Sequence, residues 1–167
     1  MSSYIYYGQY TGISLLSAYI QLFTWSSRSH TAAFFPPVDG QYHKVIEAWR
    51  KGVACSHWVE NHRPGTIIDI YRVPCTPEQS MTFYTGLEQE IGKGYDFLGV
   101  LAFRLRMNLQ RPKRWFCSEL IFQKALDAGI ILLADIPSWK VSPDKLDLVP
   151  HKQWVTRLTV PKKGVLA

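Results

Sequence analysis

The spacing of apolar and polar positions divides the chain into alternating strand and helix segments. Residues 4–10 are rich in tyrosine and read as a strand. After Gly12, the segment ISLLSAYIQLF repeats Leu16, Tyr19, Ile20 and Phe23 at helical spacing. HTAAFF (30–35) predicts a short strand closed by Pro36 and Pro37. Residues 43–49 and 66–73 are two further strand candidates, with a third at 53–59 between them, and the three are expected to form a meander.

A helix start follows at Thr76-Pro77-Glu78-Gln79. Threonine supplies the cap, proline suits the first helical position, and glutamine stands where a capping box needs it. Met81, Tyr84, Leu87 and Ile91 then form the expected buried stripe, ended by Gly92 and Gly94. A second apolar segment, YDFLGVLAF, begins at Tyr95. Residues 117–128 are apolar on most of their circumference and predict a buried central helix. Ser142-Pro143-Asp144 caps a short helical turn, and residues 153–160 alternate as a last strand. The sum is an α+β domain spanning residues 1–167, with helices packed on a mostly antiparallel sheet.

Composition adds a bias toward aromatic and basic surfaces. Of 167 residues, 47% are hydrophobic, which argues against disorder, and 14% are aromatic, which suits either a groove lined with rings or a core with polar handles at its rim. The net charge of +6 allows an anionic partner. Arg104, Arg106, Arg111, Lys113 and Arg114, flanked by Phe103 and Trp115, are where such a ligand would bind. No apolar stretch is long enough to span a membrane and no signal peptide is visible, so a cytoplasmic protein is expected. There is no phosphate-binding loop, and no cofactor is implied.

Cys55, Cys75 and Cys117 form no CxxC pair. Cys55-x-His57 is too tight for the usual zinc pair, and His30, His43 and His62 do not complete a recognisable ligand set, so no metal is expected. Cys117 has a different setting. It stands where a loop enters an apolar helix, and there unpaired N–H groups and the helix dipole favour a thiolate. A thiol nucleophile also needs a base and a group to orient it. His30, at the start of a strand, can serve as base, with Glu47 or another polar residue on the next strand holding its ring. Each residue has an ordinary structural alternative, as a core thiol, a bonded histidine or a surface charge.

The pieces SRSHTAAFF, VIEAW, GYDFLGV and WFCSELIFQKAL, in that order, resemble the permuted NlpC/P60 (YiiX-like) family of papain-like hydrolases. SPDKL resembles the Ser/Thr-Pro-x-x-Leu segment that follows the nucleophile helix in that family. The likeness runs from Ser27 to Leu146 and implies a circularly permuted papain-like fold. It implies Cys117 as nucleophile, His30 as base and Glu47 as the orienting third residue. Tyr95 would lie near the nucleophile, shaping the pocket or donating to an oxyanion, and Trp115 would contact substrate. Two features depart from the family. No Asp follows Gly8-Gln9, and Cys117-Ser118-Glu119 replaces the Asn-Cys-Glu of related lipid acyltransferases.

The expected activity is therefore a cysteine peptidase or amidase acting on an amide or ester, with a cell-wall-derived peptide as one candidate substrate. Glu119 is expected to complement the helix dipole rather than to catalyse. The alternatives are a lipid or thioester acyl hydrolase or transferase on the same fold, and a non-catalytic module binding nucleic acid or cell wall through the basic stretch.

Overall fold

The structure, a computed structural model, describes residues 3–97 and 113–162. Most of YDFLGVLAF and the basic positions Arg104, Arg106 and Arg111 lie outside the described residues, so the expectations placed on them are not addressed.

Eight strands and three helices make up the described architecture. The strands are β1 (Ser3–Thr11), β2 (His30–Phe34), β3 (Lys44–Trp49), β4 (Gly52–His57), β5 (Ile67–Cys75), β6 (Gly94–Tyr95), β7 (Arg114–Trp115) and β8 (Gln153–Thr159). The helices are α1 (Leu15–Thr24), α2 (Pro77–Glu88) and α3 (Cys117–Asp127). Short 3-10 turns occupy Ser138–Lys140 and Pro143–Leu148.

Six strands form one antiparallel sheet in the order β4-β3-β2-β1-β5-β8, and β6 and β7 make a small parallel pair. The α+β expectation is met. The meander is only half met: β3 and β4 join through a tight hairpin, Trp49 opposite Gly52, but β5 does not continue it. It pairs instead with β1 along nine residues, Ser3 to Thr11 against Cys75 to Ile67. Strand β1 has to be covered on both edges, since its central residues Tyr7, Gly8, Gln9 and Tyr10 are all buried.

At the centre of β1, Gly8 makes room for a ring. A Cβ there would stand 2.3 Å from the ring of Phe34 on β2, so only glycine lets that phenylalanine lie over the strand.

The cores lie on the two sides of the sheet. Ile5, Tyr7, Ala33, Ile46, Ala48 and Val73 pack with Phe83 and Leu87 of α2 and with Leu120, Ile121 and Ala125 of α3. Tyr10, Ala32, Phe34, Val45, Ile68 and Ile70 form the other.

Helix α2 carries the predicted capping box. Thr76 Oγ1 accepts the Gln79 N–H at 3.2 Å and the Gln79 side chain accepts the Thr76 N–H at 3.0 Å. Its buried face differs from expectation: Met81 is 67% exposed, and Ile91, beyond the helix end, is 46% exposed. Leu87 is buried as expected, and it is joined by Ser80 and Phe83. The core-facing stripe starts at a small polar residue because Ser80 Oγ lies under β1, donating to the Tyr4 carbonyl at 3.4 Å. Hydrophobicity alone assigned the stripe to Met81.

Helix α3 is the buried central helix that the pattern predicted, with its first six residues all buried. Ser118 Oγ ties its start to the carbonyl of Val141 at 2.5 Å. Glu119 acts as expected, its carboxylate accepting the Phe116 N–H at 3.3 Å and so closing one of the donors that a helix start leaves open.

Candidate active site

The ladder between β2 and β3 contains two pairs, Ala33 opposite Ile46 and Phe34 opposite Val45. Toward the start of β2 the two strands part, and the chemistry-bearing residues gather where they separate. His30 opens β2, and Glu47 lies on β3. The helix start brings Cys117 to the same place, near enough to Thr31, the residue after His30, for the Thr31 backbone N–H to favour its thiolate. That N–H has no β3 partner to bond, so the thiol occupies a position that a sheet carbonyl would otherwise take.

His30 is held from several sides. Arg28, two residues earlier, bonds Asp147 and Asp69, each at 2.8 Å. Ser29 Oγ accepts the Gly12 N–H at 2.8 Å and donates to the Tyr10 carbonyl at 3.1 Å. The His30 ring packs against Tyr10 and Trp49, with centroids 5.1 and 4.4 Å away. Behind it, Gln9 accepts the Thr31 hydroxyl at 2.9 Å and donates to the carbonyl of Pro143 at 2.7 Å. The SPDKL turn is thereby fastened to β1, and Leu146 adds a carbonyl that accepts the Tyr7 hydroxyl at 2.9 Å.

Glu47 is the hub of the site. Its Oε2 takes His30 Nε2 at 2.7 Å and His62 Nε2 at 3.0 Å, while Oε1 accepts Asn61 Nδ2 at 3.2 Å and Ser56 Oγ at 3.4 Å. Burial alone would protonate this carboxyl. The two imidazoles reverse that and hold it well below the usual carboxylate range. A carboxylate only accepts, so each Nε2 carries its ring's proton. His30 Nδ1 is left with a lone pair, and this atom is buried without a hydrogen-bond partner among the described residues. Burial lowers the His30 pKa despite the neighbouring carboxylate, and the ring is neutral at rest.

Cys117 differs from the sequence expectation in one respect. The N–H groups of Thr31, Ser118 and Cys117 itself do favour its thiolate, as a helix start should. Complete burial outweighs them and pushes the thiol up to about 12. The resting site thus holds a neutral thiol and a neutral imidazole rather than a preformed ion pair. His30 Nδ1 makes no hydrogen bond to the Cys117 sulfur.

Tyr95 lies near Cys117 as expected, close enough for each to feel the other's charge. Its hydroxyl is buried without a hydrogen-bond partner among the described residues, and burial raises its pKa far above the ordinary value, so it stays a neutral phenol. Trp115 does not join this group. Its indole N–H donates to Glu90 at 2.6 Å, and Lys124 lies 5.5 Å from its ring centre, which places it in the ion cluster between α2 and α3. Lys93, Lys124 and Trp115 together bring the Glu90 pKa down to about 2, against the rise that burial alone would cause.

Sequence reasoning passed over Asn61 and the role of His62. Both sit in the turn after β4, where Asn61 adopts a left-handed conformation with φ of 64°. Asparagine tolerates that geometry, which here turns two consecutive side chains toward Glu47. The Asn-His pair in a loop was the available signal. Of the histidines weighed with Cys55, His30 and His62 converge on Glu47, while His43 and His57 pair with each other edge to face, 6.1 Å apart by ring centre. Their ligand atoms all lie within 4.8 Å of one another, and these three residues could hold a metal. Glu47 also borders a cavity of about 610 Å³ together with Trp49, Arg50, Ser56, Asn61 and Phe97.

The chain matches no protein-family model and no curated protein. Among solved structures it is similar to the crystal structure of a protein described as the metalloprotein yiiX from Escherichia coli O157:H7. The TM-score is 0.67 at 19% identity, covering 93% of this chain and 97% of that one. The chain therefore shares a YiiX-like α+β fold. Among the described residues, no helix is long and apolar enough to cross a membrane.

Proposed function

We propose that the chain is a cysteine hydrolase with a permuted papain-like active site, acting on an amide, ester or thioester carbonyl. One observation carries this reading. The neutral His30 presents a buried Nδ1 that has no partner among the described residues, next in the chain to Thr31, whose N–H favours the Cys117 thiolate. A buried nitrogen lone pair without a partner is costly, and a base awaiting a proton accounts for it.

In this mechanism Cys117 attacks the carbonyl carbon as its thiol proton passes to His30 Nδ1. Glu47, accepting from Nε2, stabilises the imidazolium that forms. The oxyanion develops at the start of α3, where the Cys117 N–H and the Tyr95 hydroxyl are donors. His30 then protonates the leaving group and later activates water to release the acyl group. Because Cys117 has no exposed surface, substrate has to part the covering side chains to reach it.

The test is acyl-enzyme formation. A small activated acetyl ester should add one acetyl group to Cys117, detected by intact mass and peptide mapping, and Cys117→Ala should abolish it. Equal acetylation of Cys117→Ala and wild type would overturn the reading.

A second reading, a metal centre, is favoured by the convergence of His30, His62 and Glu47 and by the description of the E. coli neighbour as a metalloprotein. Two imidazoles and a carboxylate are a donor set found in catalytic zinc sites, so these residues fit such an ion.

A further inference from the structure

The two readings draw on the same nitrogen-bearing ring, and this has a chemical consequence. We infer that His30 Nε2, His62 Nε2 and Glu47 form a site for a zinc-type first-row divalent cation, whose binding turns His30 from a base toward Cys117 into an N–H donor. The metal half rests on geometry alone; the loss of the base rests on the hydrolase reading above.

The fit is close. Tetrahedral ligands about 2.0–2.1 Å from zinc stand roughly 3.3 Å from one another. His30 Nε2 and His62 Nε2 approach one oxygen of Glu47 to 2.7 and 3.0 Å, and all the ligand atoms lie within 4.8 Å of one another, so these two contacts have to open by about 0.6 and 0.3 Å. The side chains are nearly dry, with exposures of 0% for His30, 1% for Glu47 and 5% for His62. Packing fixes the rings: His62 lies 4.4 Å from the Tyr10 ring and 5.3 Å from that of Trp49, and His30 lies 4.4 Å from Trp49. Asn61 and Ser56 remain on the other oxygen of Glu47 and hold the carboxylate for the ion, as outer ligands do in metal sites. The cavity bordered by Glu47 offers an entry path. Nitrogen donors select zinc, cobalt or nickel over magnesium and calcium, which prefer all-oxygen shells.

The switch follows from counting protons. Neutral imidazole carries one N–H. In the ion-free site that proton is on Nε2, bonded to Glu47, and Nδ1 has the lone pair. A cation needs the Nε2 lone pair, so the same proton relocates to Nδ1 through solvent exchange, with no net proton released from the ring. Nδ1–H then has no lone pair with which to accept the thiol proton. His62 supplies a ligand for which the hydrolytic mechanism has no direct use.

The experiment uses the full chain carrying Cys117→Ala, stripped with chelator, so that its outcome is independent of hydrolase activity. Titration with Co²⁺ should give a saturable visible absorption at one equivalent, displaced by Zn²⁺ and unaffected by Mg²⁺ or Ca²⁺. His62→Gln should weaken Co²⁺ binding by about tenfold or more, on the scale that losing a supporting ligand contact produces. Nitrogen-15 NMR of the histidines should show His30 changing from the Nε2–H to the Nδ1–H tautomer on loading with Zn²⁺, a readout that does not depend on how His62→Gln folds. Absence of Co²⁺ binding, or binding with His30 still protonated at Nε2, would overturn the inference. In the chain with Cys117 intact, a sulfur-to-cobalt charge-transfer band would also overturn it, because Cys117 would then be a ligand. Failure of the acetylation test with these metal results intact would remove the hydrolase reading and leave the metal site standing.

Discussion

The backbone N–H of Thr31 stands near enough to the sulfur of Cys117 to favour its thiolate, so the first turn of a helix meets the strand position beside a buried histidine. That N–H is left without a β3 carbonyl because β2 and β3 pair only at Ala33–Ile46 and Phe34–Val45 and part before Thr31. A longer ladder would satisfy the Thr31 N–H with a carbonyl and leave no place for the thiol. The site therefore depends on where a sheet stops pairing, and several expected outcomes follow from the groups collected there.

Removing the charge of Glu47 is expected to slow acylation of Cys117 strongly. Glu47→Gln retains the shape but presents an amide that can donate as well as accept, and it no longer stabilises an imidazolium. A drop of about 10²–10⁴-fold in the single-turnover acylation rate is expected, on the scale of removing the orienting carboxylate from a triad. A rate within a fewfold of wild type would show that Glu47 serves the fold alone.

Thiol labelling should follow exposure rather than helix position. Cys55 is exposed, Cys75 is half-buried and Cys117 is fully buried with its thiol pushed up to about 12. A bulky aromatic disulfide near neutral pH should therefore modify Cys55 first and leave Cys117 until the chain is unfolded. Peptide mapping after timed quenching reads the order, and early modification of Cys117 would show that the site opens readily.

Acid should destabilise the fold through the same pair. Burial depresses the His30 pKa, so below the ordinary histidine value, about 6.5, the unfolded chain gains a proton that the folded chain refuses. Glu47, depressed by its two histidine partners, adds stability above the ordinary carboxylate value and loses it as pH falls toward its folded value. Both contributions have the same sign. The midpoint of thermal unfolding should fall steadily from about pH 6.5 downward, and the steepness should lessen in Glu47→Gln. A flat profile between neutral and weakly acidic pH would contradict a buried neutral His30.

Filling the space above β1 should be costly. The Cβ of Gly8→Ala would meet the Phe34 ring at 2.3 Å, inside any tolerated contact. Overpacking of this kind costs about 1–3 kcal/mol, to be read as a lower urea midpoint at unchanged slope. Phe34→Leu in the same background should restore part of the loss.

Local signals carried much of this molecule in the sequence. The threonine-proline-glutamine start of α2, the apolar run of α3 and the strand openings at His30 and Lys44 each depend on residues within a turn or two, so they are legible one segment at a time. The placement of His30 and Glu47 near each other was legible too, because consecutive strands pair. Cys117 was legible as a candidate from its helix-start setting, and the ordered motifs then singled it out and supplied Tyr95.

Tertiary structure decided the rest. Which face of α2 is buried was settled by β1, which bonds Ser80 and leaves Met81 outside. The partner of β5 was settled by the need of β1 for a second neighbour. Trp115 was drawn to Glu90 by an ion cluster between two helices distant in sequence. His62 and Asn61 became part of the site only because the turn after β4 folds back over Glu47. The protonation of Cys117 depended on burial, which no window of sequence contains. Propensity, capping and pairing act between near neighbours and are written along the chain. Desolvation and the sharing of one carboxylate among four donors arise only when distant segments exclude water together, and these set the chemistry of Cys117, His30 and Glu47.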